Sequence, residues 1–464
     1  MKALQILSGG WPKDFGAHPS YMPSLKSYRR NWRKEISRNK GVLPVRHPFA
    51  ATCHLKDLFN PLHPSVYIIP RNRPLEVLDD YEDNIGILRT SLSFSSTDFY
   101  ANEDLEGSVF KELYENNYFW RLGGIHQLGQ LVPGRPDNLD PRVQISYLIP
   151  MFPHTRFMHC WLVAIFAEIL LARYGFSQEE RNPIVLGIAC HDIAMPAGGD
   201  SIKRIDRKNL DEEDSFLWFL DHSGLDEKWK KQFNFDAKAA ESWIKGEGEF
   251  GRFLDVLDKI SYTALDCYYL GGVSNGNVRR SCLENPLVMD IWQDVRIKDE
   301  KVFFVDPDRL FNFLLLRGYE HTDLLLNPYS RVVDFYLEHL VRPLYEQGKI
   351  TREQLLSNND SWLYQQLETH YPGEVKYLFE PEIFGWRTFK TAKKRDGFAG
   401  KLGDKFYCKE DIKPFKTGLD WLVEHKGELV PLCGLLPSDK IATLEGLSKS
   451  VAGFKVYYKK SRTV

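Results

Sequence analysis

The chain has 464 residues, 43% of them hydrophobic and 27% charged, which is enough apolar material for a large core and excludes a disordered chain. A formal net charge of −2 gives no general electrostatic reason to bind nucleic acid, so any partner has to be argued from local features. Seven cysteines without CxxC spacing predict reduced, mostly buried thiols and no zinc knuckle.

The opening MKALQILSGGWPKDFG has a single lysine, a very short apolar stretch and no small-residue cleavage site, which argues against a signal peptide. Even the most apolar segment, FMHCWLVAIFAEILLARYGF, carries His159, Glu168 and Arg173, so no membrane helix is expected and a cytoplasmic protein is. Residues 1–109 are rich in Pro, Arg and aromatics, with turn clusters such as NPLHPS and PRNRP, and predict an N-terminal extension. Its basic run KSYRRNWRKEISRNK (26–40) can touch phosphates, although a solvated helix face is the ordinary reading.

Residues 110–348 predict a helical core. FMHCWLVAIFAEILLAR is apolar nearly all round, as in a central buried helix. Asn182 and Pro183 read as an N-cap and first-turn pair ahead of IVLGIACHD, with Pro196 as the stop. RVVDFYLEHLVRPLYEQG is amphipathic and ends at Gly348. Residues 349–464 predict a small α+β appendage, in which KFYCKED and FKVYYKK read as strands and GLDWLVEHK and ATLEGLSKS as short helices. The fold class expected is mainly α.

Four side chains stand out as metal ligands: His159, His191, Asp192 and Asp258. Two imidazoles and two carboxylates hold a divalent transition metal and leave positions for water and substrate oxygens, as Lewis-acid hydrolysis requires. A lone core histidine is usually structural, but a contiguous buried His-Asp needs a compensating partner for its carboxylate. In DKISYTALDCYYLG, Asp258, Tyr262 and Asp266 recur every four residues with Lys259 beside them; on a helix they form one stripe of acid, phenol and acid, which suits a pocket wall.

These segments resemble the HD-domain deoxynucleoside triphosphate triphosphohydrolases, meaning the dGTPases and the SAM-and-HD-domain type. FWRLGGIHQLG is similar to that family's FQRLRxIKQLG, HTRFMHCWLVA to HxRFEHSLGV, CHDIAMP to CHDLGHxPF, and DKISYTALDCYYLG to DKxxYxxxDCxxLG. Arg317, His321 and Asp334 match a final RxxxH followed by an Asp. The likeness covers about half the chain, and it is the order of five motifs that gives it specificity.

The resemblance implies one divalent ion (Mn, Fe, Mg, Co, Ni or Zn) held by His159, His191, Asp192 and Asp258. It implies a triphosphate held by Arg156, Lys259 and Arg317, with His321 in the same motif. It also implies a sugar read by Gln127 and Asp266, closed off by Leu128 and packed by Tyr262. The activity implied is hydrolysis of a deoxynucleoside triphosphate to deoxynucleoside and triphosphate by metal-bound water at the α-phosphorus. The assembly implied is a homo-oligomer, for which 26–40 and RTFKTAKKRDGFAGK (387–401) are the candidate contact segments.

The chain departs from the pattern where protons are handled. Met195 and Asp200 stand where the family has histidines, and carboxylates near Asp211 replace a third; Leu325 and Asn327 replace a Tyr and a His near the base. Asp200, Asp211, Glu212 and Glu213, with His222 nearby, are the candidate substitutes. Two alternatives follow: an HD phosphohydrolase of another nucleotide (monophosphate, cyclic or modified), or a catalytically weakened nucleotide-binding regulator.

Overall fold

The computed structural model describes the backbone of residues 88–91 and 98–101, together with residues 109–127, 155–269, 291–298, 301–378, 383–403 and 406–460. The basic run 26–40 and Leu128 lie outside the described residues. The fold is mainly α with small sheets, as the composition and periodicity predict.

After a hairpin of β1 (Leu88–Ser91) and β2 (Asp98–Ala101), the short helices α1 (Val109–Glu115) and α2 (Asn117–Arg121) lead to the core. Helix α3 (Arg156–Arg173) is the centre: fifteen of its eighteen residues are buried, so it lacks a polar face. Its one buried acid near the far end, Glu168, is satisfied by Arg181 Nε at 3.0 Å. Helix α4 (Gln178–Ala189) and the long helix α10 (Gly248–Tyr269) pack on it. Between them run α5 (Asp200–Lys203), α6 (Arg207–Leu210), α7 (Glu212–Ser223), α8 (Leu225–Phe233) and α9 (Ala237–Ile244).

The start of α4 differs from the sequence expectation. Ser177, not Asn182, caps it: Ser177 Oγ accepts from the Glu180 amide at 3.3 Å and Glu180 Oε2 accepts from the Ser177 amide at 2.7 Å, a reciprocal capping box. Pro183 therefore lies inside the helix. Nor does Pro196 end it; the helix closes at Ala189, with Cys190 as C-cap, and the His-Asp doublet sits in the turn beyond.

Downstream come β3 (Arg296–Lys298), β4 (Lys301–Phe304) and α11 (Pro307–Glu320), which widens into a π-turn over His321–Leu325; α12 (Pro328–Glu346) follows, with Gly348 in the left-handed region at φ 68°. Then α13 (Arg352–Ser357) and α14 (Asp360–His370) precede β5 (Phe384–Phe389), α15 (Ala392–Ala399) and β6 (Tyr407–Ile412). The chain continues through β7 (Leu422–His425), β8 (Glu428–Pro431), α16 (Ser438–Ser450) and β9 (Gly453–Lys459).

GLDWLVEHK is not a helix. Lys426 and Gly427 both have positive φ (53° and 84°), a two-residue hairpin turn that sets His425 opposite Glu428 and makes 422–425 a strand. That strand also pairs in parallel with β4, Phe303 against Leu422. The segment after 349 is thus sewn into the same body: Val423, Leu432 and Leu444 share the main buried cluster with α3 and α10, and Ala197, Ile202 and Leu210 share a second with α12 and Tyr457. Of the described cysteines, Cys160 and Cys190 are buried, Cys408 is half-buried and Cys433 is exposed, all as free thiols.

Candidate metal centre and phosphate cleft

Three elements deliver the metal-type side chains. Thr155 caps α3, its Oγ1 accepting from the Met158 amide at 3.4 Å, so Arg156 and His159 occupy the first turn. The turn after α4 supplies His191 and Asp192, and the middle of α10 supplies Asp258. His159 Nε2 lies 3.0 Å from His191 Nε2 and 2.9 Å from Asp258 Oδ1, while His191 Nε2 lies 3.5 Å from the same oxygen. Asp192 Oδ2 is 3.7 Å from His191 Nε2 and 4.0 Å from His159 Nε2.

The outer nitrogens explain which tautomers face inward. His191 Nδ1 lies 2.8 Å from the Ile188 carbonyl, which only accepts, so Nδ1 carries the proton. Ser261 Oγ donates to the His159 carbonyl at 3.2 Å and lies 3.1 Å from His159 Nδ1, and so accepts from it. Both Nε2 atoms then face the carboxylates, where each would offer its lone pair to a bound metal. His159, His191 and Asp192 offer ligand atoms that all lie within 4.8 Å of one another, a set that fits a divalent metal, and Asp258 Oδ1 stands beside both imidazoles.

The electrostatics agree. Burial works to raise Asp192, but Arg156, which donates to its Oδ2 at 2.8 Å, and the two histidines hold it below the ordinary carboxylate range. Burial would likewise raise Asp258, and its hydrogen bonds to His159 and His191 depress it instead. For His191 burial is the opposing influence, outweighed by Asp192 and Asp258, which lift it to about 9 without a metal.

These groups open into a cleft of about 420 Å³ lined by Gln127, Arg156, Asp200, Lys203, Glu212 and Tyr262, together with Trp243, Ile244 and Lys245. Gln127 is only 3% exposed, and its Oε1 has no hydrogen-bond partner among the described residues. A buried acceptor left open at a cleft wall is suited to a ligand hydroxyl or amine.

The Met-Pro-Ala-Gly-Gly stretch has a structural job. Arg121 donates to the carbonyls of Met195 (2.8 Å), Ile193 (2.7 Å) and Asn358 (3.0 Å), pinning the turn that carries the doublet. Met195 is fully buried in the main core. Gly198 has φ 85° and donates its amide to Asp360 Oδ1 at 2.7 Å; a Cβ there would come within 2.5 Å of Ile202 Cγ1.

Residues 156–252 match the model of the HD domain. This segment is similar to an HD domain. Asp258, the remaining carboxylate of the constellation, lies six residues beyond the matched stretch. The fold resembles a hypothetical protein from Aquifex aeolicus, at 18% identity and a TM-score of 0.58, over 81% of this chain and 96% of that one. It also resembles a phosphohydrolase from Bacteroides thetaiotaomicron, at 16% identity and a TM-score of 0.55, over 76% of this chain and 95% of that one. At these identities the likeness is one of fold. No curated protein sequence matches the chain.

Within the matched stretch and around it, the other expected residues divide. Arg156 lines the cleft but is engaged by Asp192 and by Asp200, whose Oδ2 lies 2.5 Å from Nη2. Lys259 pairs with Asp255 and lies over the Trp421 ring, 5.8 Å from its centroid. Arg317 donates to Tyr262 Oη at 2.9 Å and to the Lys416 carbonyl at 3.1 Å. His321 bonds the Arg317 carbonyl at 2.9 Å and packs on Phe415; burial and Arg317 push it down to about 3. Asp266 is wholly buried; burial and Asp258 raise it to about 7 against the Glu320 hydrogen bond and Arg156.

The candidate proton-handling groups also separate. Asp200 and Glu212 line the cleft, as does Glu213. Asp211 instead caps α7, accepting from the Glu213 amide at 3.2 Å. His222 stacks on Trp218 and pairs with Glu353 at 3.3 Å; it is not among the cleft-lining residues. Sequence reasoning missed Lys203, Trp243 and Lys245. Only Lys203 left a trace in the sequence, its i, i+3 spacing from Asp200.

Proposed function

We propose that the chain is a metal-dependent HD phosphohydrolase, and that its substrate is a deoxynucleoside triphosphate cleaved to deoxynucleoside and triphosphate. The observation that carries the metal-dependent part is the convergence of two Nδ1-protonated imidazoles with Asp192 and Asp258 at the wall of a cleft. The phosphohydrolase name of the Bacteroides thetaiotaomicron relative supports the reaction class. A divalent ion held there supplies Lewis-acid polarisation of a phosphoryl oxygen and a lowered pKa for water.

The chain's own residues do the rest. Arg156 fixes Asp192 from outside the metal point and presents its guanidinium to the cleft. Gln127 offers its open Oε1 to a sugar hydroxyl, and Tyr262, held by Arg317, also lines the cleft.

A second reading, another nucleotide such as a monophosphate, cyclic or modified one, is favoured by a specific observation. Lys259 and Arg317 are not among the cleft-lining residues, whereas Lys203 and Lys245 are. The deciding experiment is metal analysis of the purified chain followed by turnover of each dNTP and dNMP with Mn²⁺, Mg²⁺, Fe²⁺ or Co²⁺. Triphosphate release from dNTPs is expected. Turnover of monophosphates alone selects the second reading, and a metal-loaded chain that hydrolyses nothing overturns both.

A further inference from the structure

The basic segment 387–401 has no part in the cleft, since none of its residues lines it. It belongs to the three-stranded sheet β5-β9-β6, whose inner face packs on α12 through Tyr457 and Phe335, ring centres 5.5 Å apart. On the other face, antiparallel register sets Tyr407, Tyr458 and Gly385 in one row and Lys409, Val456 and Arg387 in the next. Helix α15 packs on that face. Phe398 lies 5.5 Å from Phe389 and 5.6 Å from Tyr458, ring centre to ring centre, and the Arg387 guanidinium lies 4.9 Å from the Phe398 ring.

Charge on this face is unbalanced. The described residues of 383–416 carry nine Lys and Arg against three Asp and Glu, in a chain whose formal charge is −2. All three acids are engaged internally: Asp396 by Arg395 at 3.0 Å and Lys409 at 3.2 Å, Asp411 by Arg395, and Glu410 by Arg331 and the Tyr457 hydroxyl. Lys390, Lys393, Lys394 and Lys401 are exposed and pair with no carboxylate among the described residues. Lys393, Gly397 and Lys401 follow at four-residue spacing along α15 and just past its end, and a Cβ at Gly397 would meet nothing within 4 Å, so the surface between these cations is open. At the edge of the patch Tyr407 is 39% exposed; among the described residues only Val305 is another large hydrophobic side chain so exposed.

We propose that this face binds single-stranded nucleic acid, with phosphates on Lys390, Lys393, Lys394 and Lys401 and an unpaired base stacked on Tyr407. Cations left without acid partners repel one another, and a phosphate backbone relieves that repulsion while releasing its own counterions. An exposed aromatic ring beside such cations stacks a base that a duplex would keep inside. A second copy of the chain fits poorly, because a symmetric contact sets the same cations against each other. A membrane surface calls for exposed Leu, Phe or Trp beside the lysines, and none is exposed here among the described residues. Binding on this face is independent of what the cleft hydrolyses.

The test titrates the full chain against a fluorescein-labelled oligothymidylate of about 20 nucleotides, longer than one module of this kind covers, its duplex with oligoadenylate, and phosphatidylserine vesicles. The variants are the double Lys393→Glu/Lys394→Glu, Gly397→Glu, Tyr407→Ala and Tyr407→Phe, all expected to keep the parent's melting temperature. The parent should bind the single strand most tightly, with log K falling against log salt at a slope of about −2 or steeper, roughly 0.7 for each of three or more phosphates. The two charge variants should weaken binding about tenfold or more at about 50 mM salt. Tyr407→Ala should weaken it about fivefold or more with the slope unchanged, and Tyr407→Phe should restore it. Absence of binding at about 50 mM salt, or an affinity unmoved by the charge variants, overturns the site. A duplex bound as tightly as the single strand with Tyr407→Ala silent, or vesicles bound in place of the oligonucleotide, overturns the partner.

Discussion

The guanidinium of Arg121 donates to the backbone carbonyl of Met195 at 2.8 Å, so the residue standing in place of an expected histidine is held by its main chain while its side chain fills the core. The turn carrying His191 and Asp192 is thereby fixed by a cation from a different segment. Its geometry does not depend on what Met195 could contribute chemically.

Replacing Arg121 with Met leaves the carbonyls of Ile193, Met195 and Asn358 without that donor. With a net cost of roughly 1–3 kcal/mol for each buried group left unsatisfied, a destabilisation of about 3 kcal/mol or more is expected. Chemical denaturation of Arg121→Met against the parent measures it. A loss below about 1 kcal/mol would show that water or rearranged backbone satisfies the turn.

Ser261 orients His159 from behind. Ser261→Ala is expected to weaken divalent metal affinity by about 10- to 100-fold, as loss of a ligand-orienting partner commonly does. Asp192→Ala should abolish stoichiometric metal and turnover together. Competition with a chelator reads both, and full metal retention in Asp192→Ala would remove that residue from the ligand set.

Gln127 makes a prediction in which stability and affinity separate. Its buried Oε1 gains no hydrogen bond within the described structure, so Gln127→Leu should leave the melting temperature near that of the parent or raise it. The KM for a nucleotide with a sugar hydroxyl should rise about tenfold or more, an unmade hydrogen bond at a buried acceptor. An unchanged KM would detach Gln127 from substrate.

Lys259 distinguishes the two substrate readings. Lys259→Ala should keep the metal; if a triphosphate is bound along α10, its KM rises while that of a monophosphate does not. A KM unchanged for both would leave Lys259 with its contacts to Asp255 and Trp421 as its whole role.

His321 predicts a pH dependence of folding. Its folded value of about 3, pushed down by burial and by Arg317, lies below the ordinary 6.5, so over that window the unfolded chain binds the extra proton. The stability is complete above about pH 6.5 and is lost as pH falls toward 3. His321→Gln should flatten the acid side of a melting temperature profile. An identical profile in the variant would mean other groups govern the acid limb.

The sequence by itself determined the helical class, the central buried helix from 156 to 173 and the metal-type side chains, because each is written locally. An all-apolar helix must be interior, and a His-Asp doublet inside an apolar run demands a compensating charge. The four-residue spacing of Asp258, Tyr262 and Asp266 likewise survived as one helix, since periodicity is a property of the chain. What only tertiary structure decided is which neighbour each charge answers to. Ser177 took the cap from Asn182 because Glu180 could reach back, and a Lys-Gly turn made a strand of GLDWLVEHK by pairing it with β4. Asp200, Asp211, Glu212 and His222 read as equals in the sequence. Folding gave the second a helix cap, the last a tryptophan and a glutamate, and set Glu212 beside Lys203 in the cleft. Those assignments depend on distances between segments, which no local pattern encodes, and they turn CHDIAMPAGGD from an isolated doublet into a turn pinned by a cation from another segment.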